Sequence, residues 1–523
     1  MSGSIEIAPT VPAGMVIPKL TSTSKHVLRN VRYHRIPADS LVQYSYGTNN
    51  RISFTLASND SFWDPSESFL QFEYTTTCTG TGNSPNNFRG TAAAGVNEEA
   101  LSGHWSTGGA HSAIKSLTIE TQSGVLIEQI TDYSRLYAML SLATESRQYV
   151  DLVQSRSHDS CNNQWEGDGL TYDDVKATDV NATSIGGVGW GPLLQFQNAT
   201  NAAAQANIIA GNPKFRASRA YAGANGASSQ QVTLKLVSGL MSLSYIPLQY
   251  IRQGLRIHLD LQNPELALVL GTQPTNADVR MNYTISNPIM MCRFIMPDAS
   301  VKAAYDKALQ QGMLNYGFSS FGYNMYQHNG SNGTITYTIP ISKRSIKNVF
   351  VVAQNYRANT QAVTADAFSS SNYDMNTFVR ANVTSYRFQH ASDYYPTLPI
   401  TIASGGTSIS NSSALEALQM CFGKSVSLYD KVRFKPSEWN SVNSDSGNNN
   451  ECKALIMAFP LCRGVASQFN GIDTSNSQQL QVEMVFAGGQ YQINAVNSNV
   501  YLHNWVQYDC ILSITSNGVV VRS

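Results

Sequence analysis

The chain has 523 residues, enough for two large β-domains or several domains of ordinary size. Its hydrophobic fraction of 42% can support a packed core, whereas its charged fraction of 13% is about half that of ordinary soluble domains, with Ser, Thr, Asn, Gln and Gly in place of the missing charge. Basic and acidic residues balance at 35 each, which argues against a nucleic-acid binder and leaves a surface that repels its own copies only weakly.

Residues 1–24 are rich in Pro, Ser and Thr and read as an N-terminal arm. From Lys19 onward the charge is basic, with Lys19, Lys25, Arg29, Arg32 and Arg35 and no acid, a pattern suited to an acidic partner or an anionic surface. Period-two alternation then predicts half-buried antiparallel strands: Ile52, Phe54 and Leu56; Leu70, Phe72 and Tyr74; Leu117 and Ile119, turning at Gln122-Ser123-Gly124 into Val125-Leu126-Ile127. A helix is predicted over about Asp132–Ala143, with Leu136, Met139, Leu140 and Ala143 on one stripe. Strands resume near Val232, pass through Leu255–Leu261 and end with a long one at Met281–Met296. A second helix, about Ser300–Gln311, has Val301, Ala304, Tyr305, Ala308 and Leu309 on its apolar face, Asp298 or Ser300 as its cap and Gly312 as its stop.

The second half opens with Thr334–Ile341, where Ile335, Tyr337, Ile339 and Ile341 share a face. A buried strand follows at Ser345–Ala353, then a helix at Ser413–Gly423. Two closing strands, Tyr508–Thr515 and Val519–Arg522, flank Ser516-Asn517-Gly518. The predicted organisation is an arm (1–24), a first β-domain with long surface loops (25–297), a connecting helix (298–312) and a second β-domain (313–523). Loops over 78–111, 153–230, 354–385 and 435–451 are far longer than the usual connection.

Two passages repeat. Tyr245-Ile246-Pro247-Leu248 leads through Arg252-Gln253-Gly254 into the alternating strand Leu255–Leu261. Ala458-Phe459-Pro460-Leu461 leads through Arg463-Gly464 and a longer loop into Leu480–Phe486. Each follows alternating strands and one short helix, so the chain is predicted to hold one β-domain twice.

Chemical motifs are weak throughout. The seven cysteines are odd in number and contain no CxxC pair, and His104 and His111 are the only imidazole pair in one loop, without the His-x-His spacing of a strand metal site. Glu120, Glu128, Asp260 and Glu483 sit singly on strands, where outward-facing charge is expected. A GxSxG elbow is absent, the 186–191 glycines lack GxGxxG spacing, and Asp168, Asp173 and Asp174 lack EF-hand spacing. Met1–Ile7 has no secretion signal and no apolar run reaches membrane-spanning length, so a reduced, soluble, intracellularly made protein without catalytic, cofactor or metal residues is expected.

The segment Ser112-Ala-Ile-Lys-Ser-Leu-Thr-Ile-Glu120, followed by Gly124–Tyr133 leading into a helix, resembles the double jelly-roll major capsid proteins of Polinton-like viruses and virophages. So do Ile246-Pro247-Leu248 with Gly254–Ile257, and the closing Tyr501-Leu502-His503 to Gly518–Val521. The resemblance implies an all-β fold of two tandem eight-stranded antiparallel jelly rolls with short helices in the connections. It further implies homotrimeric, pseudo-hexameric capsomers that tile an icosahedral virion shell, made and assembled inside the host cell. Expected partners are neighbouring capsomers, minor capsid proteins, a penton protein at the vertices and an internal membrane, with no sequence-specific nucleic-acid binding. Lys19, Lys25, Arg29, Arg32 and Arg35 would then contact the inner face. The alternative is a β-sandwich carbohydrate-binding or adhesion protein, for which Trp63, Trp105, Trp165, Trp190, Trp439 and Trp505 are the available aromatics.

Overall fold

The computed structural model describes residues 28–40, 42–57, 60–79, 103–105, 108–144, 228–270, 280–328, 333–355, 378, 383–402, 412–422, 455–462, 470–476, 478–486 and 500–523. The first lobe contains β1 (Leu28–Pro37), β2 (Gln43–Ser45), β3 (Arg51–Leu56), β4 (Phe62–Thr79), β5 (Gly103–Trp105), β6 (Ile114–Thr121) and β7 (Leu126–Thr131). Helix α1 (Tyr133–Thr144) follows, then β8 (Ser228–Leu234), β9 (Ile246–Pro247), β10 (Leu255–Leu261), β11 (Leu268–Leu270) and β12 (Arg280–Pro297). Helix α2 (Ala299–Gln311) leads to the second lobe: β13 (Met313–His328), β14 (Gly333–Ile339), β15 (Ile346–Asn355), β16 (Val383–His390), β17 (Asp393–Thr401), helix α3 (Ser412–Met420), β18 (Ile456–Pro460), β19 (Leu480–Phe486), β20 (Val500–Thr515) and β21 (Gly518–Arg522).

The principal strands of the first lobe pair as β1-β12-β4-β8 and β3-β10-β6-β7, and those of the second as β13-β20-β15-β18 and β14-β19-β16-β17. Counted along each lobe, both orders are first-eighth-third-sixth and second-seventh-fourth-fifth. Each lobe is an antiparallel jelly roll, and both share one topology. The helix between fifth and sixth strands occurs in both, as α1 and α3. Its predicted stripe is inward in α1, where Leu136 and Met139 are fully buried.

The repeated Pro-Leu passages occupy matching places. Pro460 ends the sixth strand β18 opposite Asn348 of β15. In the first lobe the sixth strand is in two pieces on the same partner, β8 along Leu70–Thr76 and β9 beside Phe62 and Trp63, with Pro247 in the second piece. Both pieces lie on the edge of β4 away from β12, and an edge tolerates a residue with no amide to donate. The alternating strands that follow, β10 and β19, are the central seventh strands. Ile257, Leu259, Val482 and Met484 fill the cores, each such side chain contributing about 1.5–3 kcal/mol by leaving water. The β6–β7 turn needs Gly124 at φ 88°, where its amide donates to Thr121 O at 2.9 Å.

Three expectations change. In α2 Tyr305 is the anchor, 4.9 Å from the Phe62 ring, while Ala304 faces solvent because the helix meets the first lobe by a narrow stripe. The strand predicted to reach Ile341 ends at Ile339, where the Ile341 amide turns back to Ile339 O. The loop holding His104 and His111 is structured: His104 lies on β5, paired with β11, and His111 is in a buried 3-10 turn with its ring 3.6 Å from that of Tyr137. The long-loop segments 80–102, 145–227, 356–377 and 423–454, with Asp168, Asp173, Asp174 and the 186–191 glycines, lie outside the described residues.

Candidate assembly interface

The two lobes meet along a buried polar seam. On the first lobe it is built by the fifth strand β7, the start of α1 and the 238–240 segment between β8 and β9; on the second by the first and eighth strands, β13 and β20. Glu128, expected to face outward, is instead 3% exposed. Its carboxylate accepts from the amides of Gly239 and Leu240 at 2.9 and 3.1 Å and from the Ser238 hydroxyl, with Ser320 of β13 alongside. Burial pushes its pKa up, and these donors pull it back. Gly239 lies so close to the second lobe that an added Cβ would meet Phe318 Cδ2 at 2.6 Å and the Ser319 carbonyl carbon at 2.8 Å, with the Ser319 oxygen nearer still.

Farther along, Asp132, held at φ 53°, takes Arg135 Nη1 on both carboxylate oxygens at 2.9 and 3.1 Å. Its second oxygen is 3.7 Å from Nδ1 of His503 on β20, which is also 2.8 Å from the Tyr323 hydroxyl of β13. His503 is fully buried, and burial followed by the Arg135 charge holds its pKa well below 6.5, so the imidazole is neutral. Beneath Ser319, Asp509 pairs with Lys347 at 2.5 Å and accepts from Ser345 and Ser319 at 2.8 and 3.2 Å. At the rim Arg252, in the repeated Arg/Gly turn, donates to Ser516 O at 3.2 Å, and Tyr250 donates to Asp306 of α2 at 2.5 Å.

This contact is head-to-tail: the fifth-strand side of one jelly roll meets the first-strand side of the next. One side of each kind is therefore left over. The free first strand, β1, is an edge strand exposed on both faces, with Val31 43% and Tyr33 50% exposed. Arg32 and Arg35 are exposed on opposite faces of it, opposite Phe294 and Met291 of β12. Arg29 belongs to the same strand, its side chain undescribed, and Lys19 and Lys25 lie outside the described residues. The free fifth strand, β17, jumps register between Tyr386↔Ile400 and Phe388↔Tyr395, so that residues 396–399 form a bulge. Leu398 on that bulge is 79% exposed, and Tyr394 on β17 and Met420 at the end of α3, a helix that packs against β17, are 37% and 45% exposed.

No catalytic arrangement emerges among the described residues. No group of three or more His, Cys, Asp or Glu could hold a metal ion, and the strand carboxylates have neighbouring-strand partners instead: Glu120 with His258 at 3.2 Å, Asp260 with Arg51 at 2.7 Å, Glu483 with Arg387 at 2.8 Å. Cys292, Cys421, Cys462 and Cys510 are free thiols. No helix among the described residues is long and apolar enough to cross a membrane.

Two jelly rolls of one topology, docked head to tail in a single chain, make this a double jelly-roll protein. Solved structures share the fold over almost its whole length. A chain of the Sputnik virophage cryo-EM structure matches with a TM-score of 0.54 at 12% identity, covering 96% of this chain and 90% of that one. The mavirus major capsid protein matches with a TM-score of 0.50 at 11% identity, covering 94% and 89%. No family model and no curated protein matches in sequence.

Proposed function

We propose that the chain is a major capsid protein whose homotrimers form six-lobed capsomers of an icosahedral virion shell. The observation that carries this reading is the head-to-tail pair of like jelly rolls, in a fold shared end to end with a viral major capsid protein. Three such chains supply six similar lobes, and a heterologous contact that closes on itself makes a ring. The strand carboxylates paired with basic side chains across neighbouring strands, and the free thiols, fit a structural role rather than an enzymatic one. The carbohydrate-binding alternative loses its aromatic platform at the described positions, since Trp63, Trp105 and Trp505 are 0%, 2% and 0% exposed.

In this reading residues 1–24 are an arm, and the basic set Lys19, Lys25, Arg29, Arg32 and Arg35 contacts the inner side of the shell, where minor capsid proteins or an internal membrane lie; a penton protein fills the vertices. Light scattering on the purified protein tests the capsomer: a mass of three times 57.1 kDa with six-lobed particles by negative stain is expected, and a monomer overturns the reading. Deleting residues 1–24 leaves trimers intact and impairs shell assembly; normal shells from the truncated chain would remove the arm from the mechanism.

A further inference from the structure

We propose that the contact between neighbouring copies repeats the seam within the chain: β1 of one copy docks on β17 and the end of α3 of the next, with Leu398 as the anchor and Tyr33 on the receiving side. The inference rests on the capsomer reading and adds to it the surface and residues that close the ring.

The argument is one of repetition. Within the chain the fifth strand of lobe one, β7, packs against the first strand of lobe two, β13. A ring of six like lobes consists of alternating contacts of this kind, so the next contact joins a fifth strand of lobe two to a first strand of lobe one. Those are β17 and β1, which have no such counterpart across them among the described residues. Exposure agrees with this assignment. β13, already docked, has Leu314, Tyr316, Phe318 and Phe321 buried, whereas β1 has Val31 and Tyr33 open to solvent. Glu128 on β7 is buried against the second lobe, whereas the 396–399 bulge of β17 carries Leu398, whose 79% exposure is the highest of any large hydrophobic residue among the described ones.

Charge is compatible with the docking. Arg35 shares the face of β1 that carries Tyr33, and β1 has no acid, while Asp393 begins β17 and Glu416 lies on α3. Opposite charges at such a rim steer and orient the encounter. An apolar side chain this exposed on a strand bulge has the character of a hot spot that gains its energy only when a partner covers it.

Leu398→Asp and Tyr33→Asp, made separately, test the surface by light scattering against protein concentration. Each is expected to raise the trimer dissociation constant on the order of a hundredfold or more, as hot-spot loss does, while circular dichroism and the melting temperature stay those of the folded monomer. Val520→Asp, at an apolar site on β21 whose 45% exposure is close to the 50% of Tyr33, leaves the trimer intact. A second measurement needs no loss of assembly: Tyr33→Cys combined with Leu398→Cys yields oxidised, covalently linked oligomers from trimers, and neither single variant does. A monomeric wild type overturns the capsomer reading itself. A trimeric wild type whose trimer survives both Asp substitutions, with no cross-link in the double Cys variant, overturns this surface and leaves the capsomer standing.

Discussion

Gly239→Ala is the sharpest probe of how the two lobes are joined. Gly239 has φ −64° and ψ −42°, an ordinary helical conformation, so alanine fits the backbone without strain. By its effect on the unfolded chain alone the substitution stabilises by about 0.4–1 kcal/mol. The opposing term comes from the other lobe. Carbon atoms in contact sit about 3.5–4.0 Å apart, and the new Cβ would be 2.6 Å from Phe318 Cδ2 and 2.8 Å from the Ser319 carbonyl carbon. The Phe318 ring can rotate, but the Ser319 backbone belongs to the paired strand β13, so the lobes have to separate by roughly 1 Å. Overpacking of that kind costs about 1–3 kcal/mol. The same displacement stretches the amides of Gly239 and Leu240 away from the Glu128 carboxylate, and each weakened bond to a buried charge adds about 1 kcal/mol or more. A net loss of about 3 kcal/mol is expected. Urea unfolding followed by circular dichroism, with hydrogen exchange at β7 and β13 as the local readout, measures it. A variant as stable as the wild type or more so, with unchanged protection at both strands, would refute the close approach as the element that fixes the lobes.

Three further outcomes follow from the same seam and its surroundings. Glu128→Ala leaves Ser238, Gly239 and Leu240 donors without their acceptor and is expected to cost about 3–5 kcal/mol, measured by the same unfolding curves. His503 is held neutral below its ordinary pKa, so as pH falls below about 6.5 the unfolded chain takes up a proton that the folded one refuses; stability drops by up to about 1.4 kcal/mol per pH unit, and His503→Gln flattens that slope in melts between pH 7.5 and 5. Arg387→Ala removes the paired bonds to Glu483 at 2.9 and 2.8 Å and the cation over the Tyr394 ring, yet both charged side chains are about a fifth exposed; a loss of no more than about 1 kcal/mol is expected, and a cost comparable to that of Glu128→Ala would contradict the distinction between sheet surface and seam.

Much of the fold was legible because jelly-roll strands carry their register in the pattern of buried residues. The strands β3, β10 and β19 alternate without error, and a slip of one residue would turn Phe54, Ile257 or Val482 to water. The repeated Pro-Leu was informative for a physical reason: it marks an edge strand beside a central one, and the same edge recurs in both lobes. Glu128 was not legible. Two of its donors are backbone amides 111 and 112 positions away, which have no residue type to read, and the third is the hydroxyl of Ser238, one serine among many, 110 positions away. Gly239 in Ser238-Gly239-Leu240 looks like any loop glycine, since only the second lobe shows that the missing Cβ is a matter of space. The basic set read as one patch also changes character on a strand, because period two sends Arg32 and Arg35 to opposite faces.

The contrast between the seam and the free surfaces has a thermodynamic reason. Within the chain the lobes are tethered by α2, so their contact forms at a high effective concentration and need not supply the freedom lost on association. Such a contact can hold Glu128, Asp132, Arg135 and His503 out of water, groups that fix geometry while adding little net stability. A contact between separate chains has no tether and must generate its own free energy, which buried apolar area supplies and buried charge does not. Two surfaces related by one topology should then diverge in chemistry: the continuous one can bury charged groups beside its apolar residues, whereas the discontinuous one relies on apolar anchors. Leu398 and Tyr33 lie on the discontinuous pair, and the polar cluster lies on the continuous one. In the proposed capsomer the shared topology gives both contacts the same layout, and the tether decides which of them can be built from charge.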